Sequence, residues 1–123
     1  MKITLTSDDS IRLEAAPGIL TIEAPSADRS YSPFHMLASA LAVCTFSVLS
    51  SWASNADIGV DDLVIDVGWT FAEAPHRVAE MRTTLTWPSL PEGRRSVAER
   101  VAALCTVHAT LKHPPALRLE LAS

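Results

Sequence analysis

The fold is decided by residues 32–54, SPFHMLASALAVCTFSVLSSWAS. Ser32 is a good N-cap, and Pro33 suits the first helical position because the missing N–H of proline would have no partner there anyway. The sequence therefore predicts a helix from about Pro33 to Ser54. Since this stretch is apolar nearly all round, the helix should lie at the centre of the fold or of an oligomer.

The same stretch raises the question of a membrane span, because no charged residue occurs between Arg29 and Asp57. Its most apolar part, Met36 to Leu49, is only 14 residues long and already contains serine and threonine. A membrane-spanning helix needs about 20 predominantly apolar residues. We therefore predict a buried core helix and no membrane association.

Short β-strands are predicted on both sides of this helix. Before it, three segments place apolar residues at every second position, centred on Leu5, Leu13 and Ile22, and we expect them to form an antiparallel meander. After it, strict alternation from Leu63 to Phe71 and from Met81 to Trp87 predicts a long β-hairpin with one apolar face.

A second helix and a last strand complete the predicted order. Ser96 and Glu99 have the spacing of a capping box, so a helix should begin there, carry Cys105 beside its apolar stripe and end at His113-Pro114-Pro115. Leu117, Leu119 and Leu121 then alternate as in an edge strand. The order β-β-β-α-β-β-α-β is typical of an α+β fold.

Length, charge and the N-terminus restrict the function. The 123 residues are enough for one domain, which we place at 1–123. The formal charge of −4 leaves no basic stripe, so we expect no nucleic-acid partner. The sequence does not begin with a secretory signal, which predicts a cytoplasmic protein with reduced thiols.

The two cysteines, Cys44 and Cys105, are the candidate reactive groups. Two helices packed roughly 8–10 Å apart can bring facing cysteines within disulfide range. A thiolate that attacks a peroxide becomes a sulfenic acid, and a second thiol nearby converts this to a disulfide. Inert burial of both thiols is the simplest alternative. A zinc site made with His35 and His108 is disfavoured because the residues lack the close spacing of structural zinc sites.

Two segments resemble the OsmC/Ohr family. Residues 32–44 are similar to the family's first motif, a proline, a helix opening and a small-residue run before the reactive cysteine. Residues 105–108, Cys-Thr-Val-His, are similar to its second motif. The resemblance implies antiparallel sheets that wrap two central helices in an intertwined homodimer. It also implies thiol-dependent reduction of small hydroperoxides, with Cys44 as the peroxidatic cysteine, Cys105 as the resolving cysteine, no bound cofactor or metal, and an external dithiol as reductant.

The resemblance is incomplete around the thiol. Active members use a glutamate near the start of the first helix and an arginine from the N-terminal strands, but Phe34 and His35 stand at the glutamate positions and Thr106 replaces a proline. We expect Arg12, on a strand, to supply the cation rather than Arg29, in a loop, and His35 to act across the dimer.

The alternative function is a binding protein for a small apolar ligand with little or no peroxidase activity. The apolar face of the hairpin either belongs to the core or lines a ligand pocket, and it carries Trp69, Phe71, Met81 and Trp87.

Overall fold

The structure, a computed structural model, describes residues 1–15, 20–26 and 32–123. In these ranges the chain forms one five-stranded sheet and three α-helices, which confirms the predicted α+β class. Arg29 lies outside the described residues. In chain order the elements are β1 (Lys2–Ser7), β2 (Ser10–Glu14), β3 (Thr21–Glu23), α1 (Pro33–Asn55), β4 (Val64–Ala72), β5 (Arg77–Thr86), α2 (Arg95–Ala102) and α3 (Thr106–Lys112).

The sheet is mixed and has the strand order β3-β1-β2-β4-β5. Its neighbouring strands are antiparallel except for β3, which runs parallel to β1. The predicted antiparallel meander is therefore wrong in its third strand. Because β2 pairs with β4 along its second edge, β3 pairs with the outer edge of β1 instead. This order leaves β5 as an edge strand.

The core lies between α1 and one face of the sheet. Each fully buried isoleucine or leucine there contributes roughly 1.5–3 kcal/mol through the hydrophobic effect. From α1, alanines face the sheet and let the helix backbone come close to it. The side chains with no exposed surface are Ile3, Ile11, Leu13, Ile65 and Val67 on the strands, and Ala38, Ala42, Leu49 and Ala53 on α1.

Both ends of α1 have local causes. Pro33 is its first residue and Ser32 occupies the N-cap position as predicted, although the Ser32 side chain makes no capping bond. At the other end Asp57 adopts a left-handed conformation with φ of 55°, and the N–H of Ile58 donates to the carbonyl of Ala53 at 2.9 Å. This Schellman arrangement provides partners for the last carbonyls and stops the helix one residue beyond the predicted end.

By length and mean hydropathy, which is 1.6 over its most apolar window, α1 is also able to cross a membrane. The core helix of a soluble protein meets the same two criteria. In this chain α1 packs on β2 and β4, and its alanine face is fully buried against them. These contacts favour the interpretation of α1 as a core helix.

The predicted hairpin is present as β4 and β5, but its apolar face is only partly buried. Trp69 and Trp87 are in the core, whereas Phe71 is 41% exposed. The register of the two strands shifts between Thr70 and Phe71. The Phe71 ring forms a T-shaped contact with the Phe34 ring at the start of α1, with centroids 5.0 Å apart. Of the aromatic residues predicted for this face, the two tryptophans are therefore core residues and Phe71 is not.

The predicted second helix is wrong in two respects. It begins at Arg95 after a 3₁₀ turn, Glu92–Arg94, so Ser96 lies inside the helix and forms no capping box. It also breaks at residues 103–105, and Cys105 adopts an extended conformation, with φ −62° and ψ 139°, as the N-cap of a separate helix α3. Cys105 therefore lies between two helices and not on one.

The predicted last strand is absent from the described chain. Residues 113–123 form no helix or strand. Leu117, Leu119 and Leu121 are 92%, 97% and 95% exposed. Although these residues alternate as in a strand, no neighbouring strand pairs with them, so their apolar side chains remain in solvent.

Candidate functional site

The site is formed where α3 meets the middle of α1. Cys44 lies on the α1 stripe formed with Leu37, Leu41 and Val48, and it is half-buried. Cys105, which precedes α3, is completely buried. Both are free thiols and they lie next to each other, close enough for a hydrogen bond between their side chains. The two cysteines, 61 residues apart in sequence, therefore form one site.

Backbone N–H groups at the start of α3 donate to both sulfurs. The N–H of Val107 lies 3.5 Å from Cys44 Sγ, and the N–H of His108 lies 3.1 Å from Cys105 Sγ. The first N–H groups of any helix have no partner within the helix, which makes them available to such acceptors. The short helix α3 thus provides hydrogen bonds that α1 does not offer at the middle of its length.

The two thiols have opposite pKa shifts. Burial raises the pKa of Cys44, but hydrogen bonds from the Val107 N–H, the Cys105 thiol and the Thr106 N–H outweigh it, so its pKa lies below the ordinary value. Burial also raises the pKa of Cys105, and donation of its own proton toward Cys44 raises it further, while the His108 N–H acts in the opposite direction. Cys44 therefore ionises first, and Cys105 retains the proton.

Arg12 lies on the face of the sheet opposite α1. Its neighbours Ile11 and Leu13 are fully buried beneath the helix, and successive side chains of a strand point to opposite faces. On the open face Arg12 Nε donates to Asp66 Oδ1 at 3.0 Å. Within one chain the sheet therefore separates Arg12 from Cys44.

His35 is buried near the start of α1 and does not meet the cysteines within one chain. It precedes Cys44 by nine residues, or about 13 Å along the helix axis. Its Nε2 lies 2.9 Å from the carbonyl of Ser7, and since a carbonyl only accepts, Nε2 carries the proton. The ring packs edge-on against Trp69, with centroids 4.9 Å apart. His35 therefore links α1 to the sheet.

The hypothetical zinc site also fails to assemble, because His35 is held at Ser7, away from the cysteines. Among residues 1–15, 20–26 and 32–123, no group of three or more His, Cys, Asp or Glu side chains is arranged to hold a metal ion.

A groove of about 980 Å³ opens between α1, β5 and the two last helices. Two of its wall residues touch Cys105, since the Thr45 side chain is hydrogen-bonded to the thiol and His108 donates its N–H. The groove therefore ends next to Cys105, although neither cysteine forms part of its wall. Its apolar lining comes from Leu37, Leu41, Met81, Leu85 and Leu111.

Sequence reasoning missed the residues that surround the thiols most closely. Thr45 is adjacent to Cys44 in sequence and has no recognisable motif. The N–H groups of Thr106 and Val107 are backbone atoms, which no residue type identifies. A signal did exist for Cys105, because a small side chain with acceptor character, followed by a helical pattern, is compatible with an N-cap.

Comparison with known proteins gives a family and a fold. The profile of the family described as OsmC-like protein matches residues 26–120. The fold resembles a crystal structure from Psychrobacter arcticus 273-4, described as that of a candidate osmotic stress induced and detoxification response protein. The TM-score is 0.60 and the identity is 20%, over 88% of this chain and 84% of the other. No protein with a curated description matches the sequence. The family profile covers most of the chain, which therefore belongs to the OsmC-like protein family.

Proposed function

We propose that this chain is a thiol-dependent hydroperoxide reductase that serves stress response and detoxification, with Cys44 as the peroxidatic and Cys105 as the resolving cysteine. Family membership and the description of the Psychrobacter protein support the general kind of function. The observation that carries the chemistry is the pair of adjacent thiols with opposite pKa shifts. Cys44 is the thiol that forms the nucleophilic thiolate, while Cys105 beside it is still protonated.

The proposed cycle uses each feature of the pair. The Cys44 thiolate attacks one peroxide oxygen, the O–O bond breaks, and the departing alkoxide takes a proton and leaves as an alcohol. Cys44 is then a sulfenic acid. The Cys105 sulfur attacks the sulfur of the sulfenic acid, water leaves, and a disulfide forms. An external dithiol reduces this disulfide and is itself oxidised, so the protein needs no resident cofactor.

Backbone N–H groups stabilise the thiolate in this proposal, in place of the arginine and glutamate that active family members use. Thr106 is central to this proposal, because it stands where the resemblance to the family expects a proline, which has no N–H. The N–H of Thr106 is one of the groups that lower the pKa of Cys44. Arg12 and His35 reach a thiol only if a second chain brings them there.

A single substitution tests this role of Thr106. Proline is well tolerated at the first position of a helix, and Cys105 already has the extended conformation that a residue before proline requires. Thr106→Pro should therefore keep α3 and remove one donor, so that alkylation of Cys44 by iodoacetamide shifts to higher pH. Thr106→Ala, which retains the N–H, should alkylate like the wild type. Equal pH profiles for all three proteins would exclude the proposed donor.

The groove supports a small hydroperoxide with an apolar substituent as the substrate. Its lining is more apolar than polar, although Glu80, Arg82, Glu99 and Lys112 also line it. Two of its polar wall residues, Thr45 and His108, lie beside Cys105. We place the protein in the cytoplasm, where dithiol reductants are available.

We further propose that the chain works as an intertwined homodimer. β5 is an edge strand, and the apolar Leu117, Leu119 and Leu121 are exposed with strand alternation in the same chain. Addition of this segment to an edge strand of a second chain would provide backbone hydrogen-bond partners for the segment and for that edge strand. Sedimentation should show a dimer for the full chain and a weaker dimer after deletion of residues 117–123. A monomer at every concentration would contradict the proposal.

Peroxide consumption tests the activity directly. With dithiothreitol as reductant, the protein should consume cumene hydroperoxide faster than hydrogen peroxide, because the groove favours an apolar substituent. Cys44→Ser should abolish consumption of both. Without dithiothreitol, which would itself reduce a sulfenic acid, Cys105→Ser should consume about one equivalent of peroxide and then accumulate oxidised Cys44, which mass spectrometry detects as added oxygen.

The second candidate function is a binding protein for a small apolar ligand, which the leucine and methionine side chains of the groove favour. Saturable binding of cumyl alcohol by a protein that consumes neither cumene hydroperoxide nor hydrogen peroxide would establish this alternative. A Cys44 thiol that alkylates only at alkaline pH would support it as well.

A further inference from the structure

We propose that Cys105 also acts as a redox-controlled cap of α3, so that the Cys44–Cys105 disulfide loosens this helix and becomes accessible to the reductant. The proposal rests on the proposed function for its physiological oxidant. The coupling itself follows from the position of one sulfur, which is both the cap of a helix and a partner in the disulfide.

In the reduced protein Cys105 performs the task of an N-cap residue. Its backbone is extended and its sulfur accepts the N–H of His108, the third residue of α3, at 3.1 Å. Ser, Thr, Asp and Asn normally occupy this position because their oxygen accepts the same N–H. Because the acceptor here is a sulfur, the capping hydrogen bond depends on the oxidation state of Cys105.

The disulfide is incompatible with the present position of both sulfurs. A disulfide needs its sulfurs about 2.05 Å apart, well inside the contact distance of two free thiols, so they must approach by on the order of 1 Å. Cys44 is fixed in the middle of α1, which has 23 residues. Cys105 lies in the short break between α2 and α3 and is therefore the sulfur that moves away from the His108 N–H.

Helix α3 is sensitive to the loss of this cap. It has seven residues, and isolated helices of that length are unstable in water. From Ala109 onward its residues are exposed, and the segment after Lys112 has no regular structure that could hold it. Without the cap, α3 keeps Val107 as its half-buried contact with the core.

Movement of α3 would change the site itself. His108, Leu111 and Lys112 form one wall of the groove. Cys105 is completely buried when reduced, so an external dithiol cannot reach its sulfur without such a movement. Formation of the disulfide would therefore move α3 and give the dithiol access to the disulfide. The two thiols of the dithiol then reduce it to the Cys44 and Cys105 thiols and form their own disulfide. Recovery of the cap would then bury Cys105 again.

Amide hydrogen exchange in α3 tests the coupling without any peroxide. Diamide, a diazene that takes one hydrogen from each of two thiols, forms the disulfide directly. In the oxidised wild type the His108 and Ala109 amides should exchange roughly tenfold faster than in the reduced protein, the size expected for loss of a cap. Leu49 in α1 serves as the internal reference and should not change. Unchanged exchange at His108 after complete disulfide formation, verified by mass, would overturn the proposal.

Two variants separate capping from oxidation. Cys105→Ala removes the cap in a protein that cannot form the disulfide, and its α3 amides should exchange as fast as those of the oxidised wild type. Cys105→Ser keeps an oxygen cap and should remain slow with or without diamide. If Cys105→Ala is as slow as Cys105→Ser, the sulfur does not stabilise α3 and the proposal fails. A protein that shows the diamide effect but consumes no peroxide would retain the redox-controlled cap and lose only the proposed function.

Discussion

Strand β4 and the segment Leu117–Leu121 have the same alternating pattern and opposite outcomes. In β4 the inward residues Ile65 and Val67 are completely buried, whereas Leu119 is 97% exposed. β4 has a hydrogen-bonded strand on each side and α1 across its face. The C-terminal segment has neither. Alternation thus tells which residues would share a face, but a strand forms only where an edge and a cover are available.

The largest effect is expected in β4. Ile65→Ala removes a fully buried side chain beneath α1, and the cavity should lower the free energy of unfolding by about 2–5 kcal/mol. Urea unfolding followed by tryptophan fluorescence measures this difference. A loss below about 1 kcal/mol would mean that the sheet face is loosely packed, and it would remove the contrast with the C-terminal segment.

A difference of intermediate size in the free energy of unfolding is expected between substitutions at two buried tryptophans of the hairpin. Trp87 Nε1 donates to the carbonyl of Gly59 at 3.0 Å, whereas Trp69 Nε1 has no partner among residues 1–15, 20–26 and 32–123. Trp87→Phe should therefore lose about 1 kcal/mol more than Trp69→Phe in the same urea experiment, because only the first leaves a carbonyl without its donor. Equal losses would show that the Trp69 indole has a hydrogen-bond partner in solution.

The smallest effect is expected in the C-terminal segment. At a protein concentration at which sedimentation shows single chains, Leu119→Ala should leave the free energy of unfolding within about 0.5 kcal/mol of the wild type, because the side chain is already in solvent. At higher concentration the proposed dimer should make the variant less stable than the wild type. A loss as large as that of Ile65→Ala in the monomer would show that the segment packs on its own chain.

The sequence by itself determined the start of α1, the alternation of the strands and the α+β class, since Pro33, period-two patterning and helical spacing are local signals that act through the backbone. It also identified Cys44 and Cys105 as the candidate reactive pair. It did not determine the parallel pairing of β3, the break before Cys105 or the exposure of the C-terminal segment. The pairing of β3 and the exposure of the C-terminal segment depend on whether a distant sheet edge is free, whereas the break before Cys105 accompanies the packing of α3 on α1.

The surroundings of the thiols were decided by the tertiary structure alone. Sequence reasoning sought a charged activator in Arg12 or His35. Arg12, however, pairs with Asp66 on the open face of the sheet, and His35 donates to the carbonyl of Ser7. The groups that lower the pKa of Cys44 include the N–H groups of Thr106 and Val107. Every residue except proline has this group, so its position next to a sulfur depends only on where folding places the start of α3.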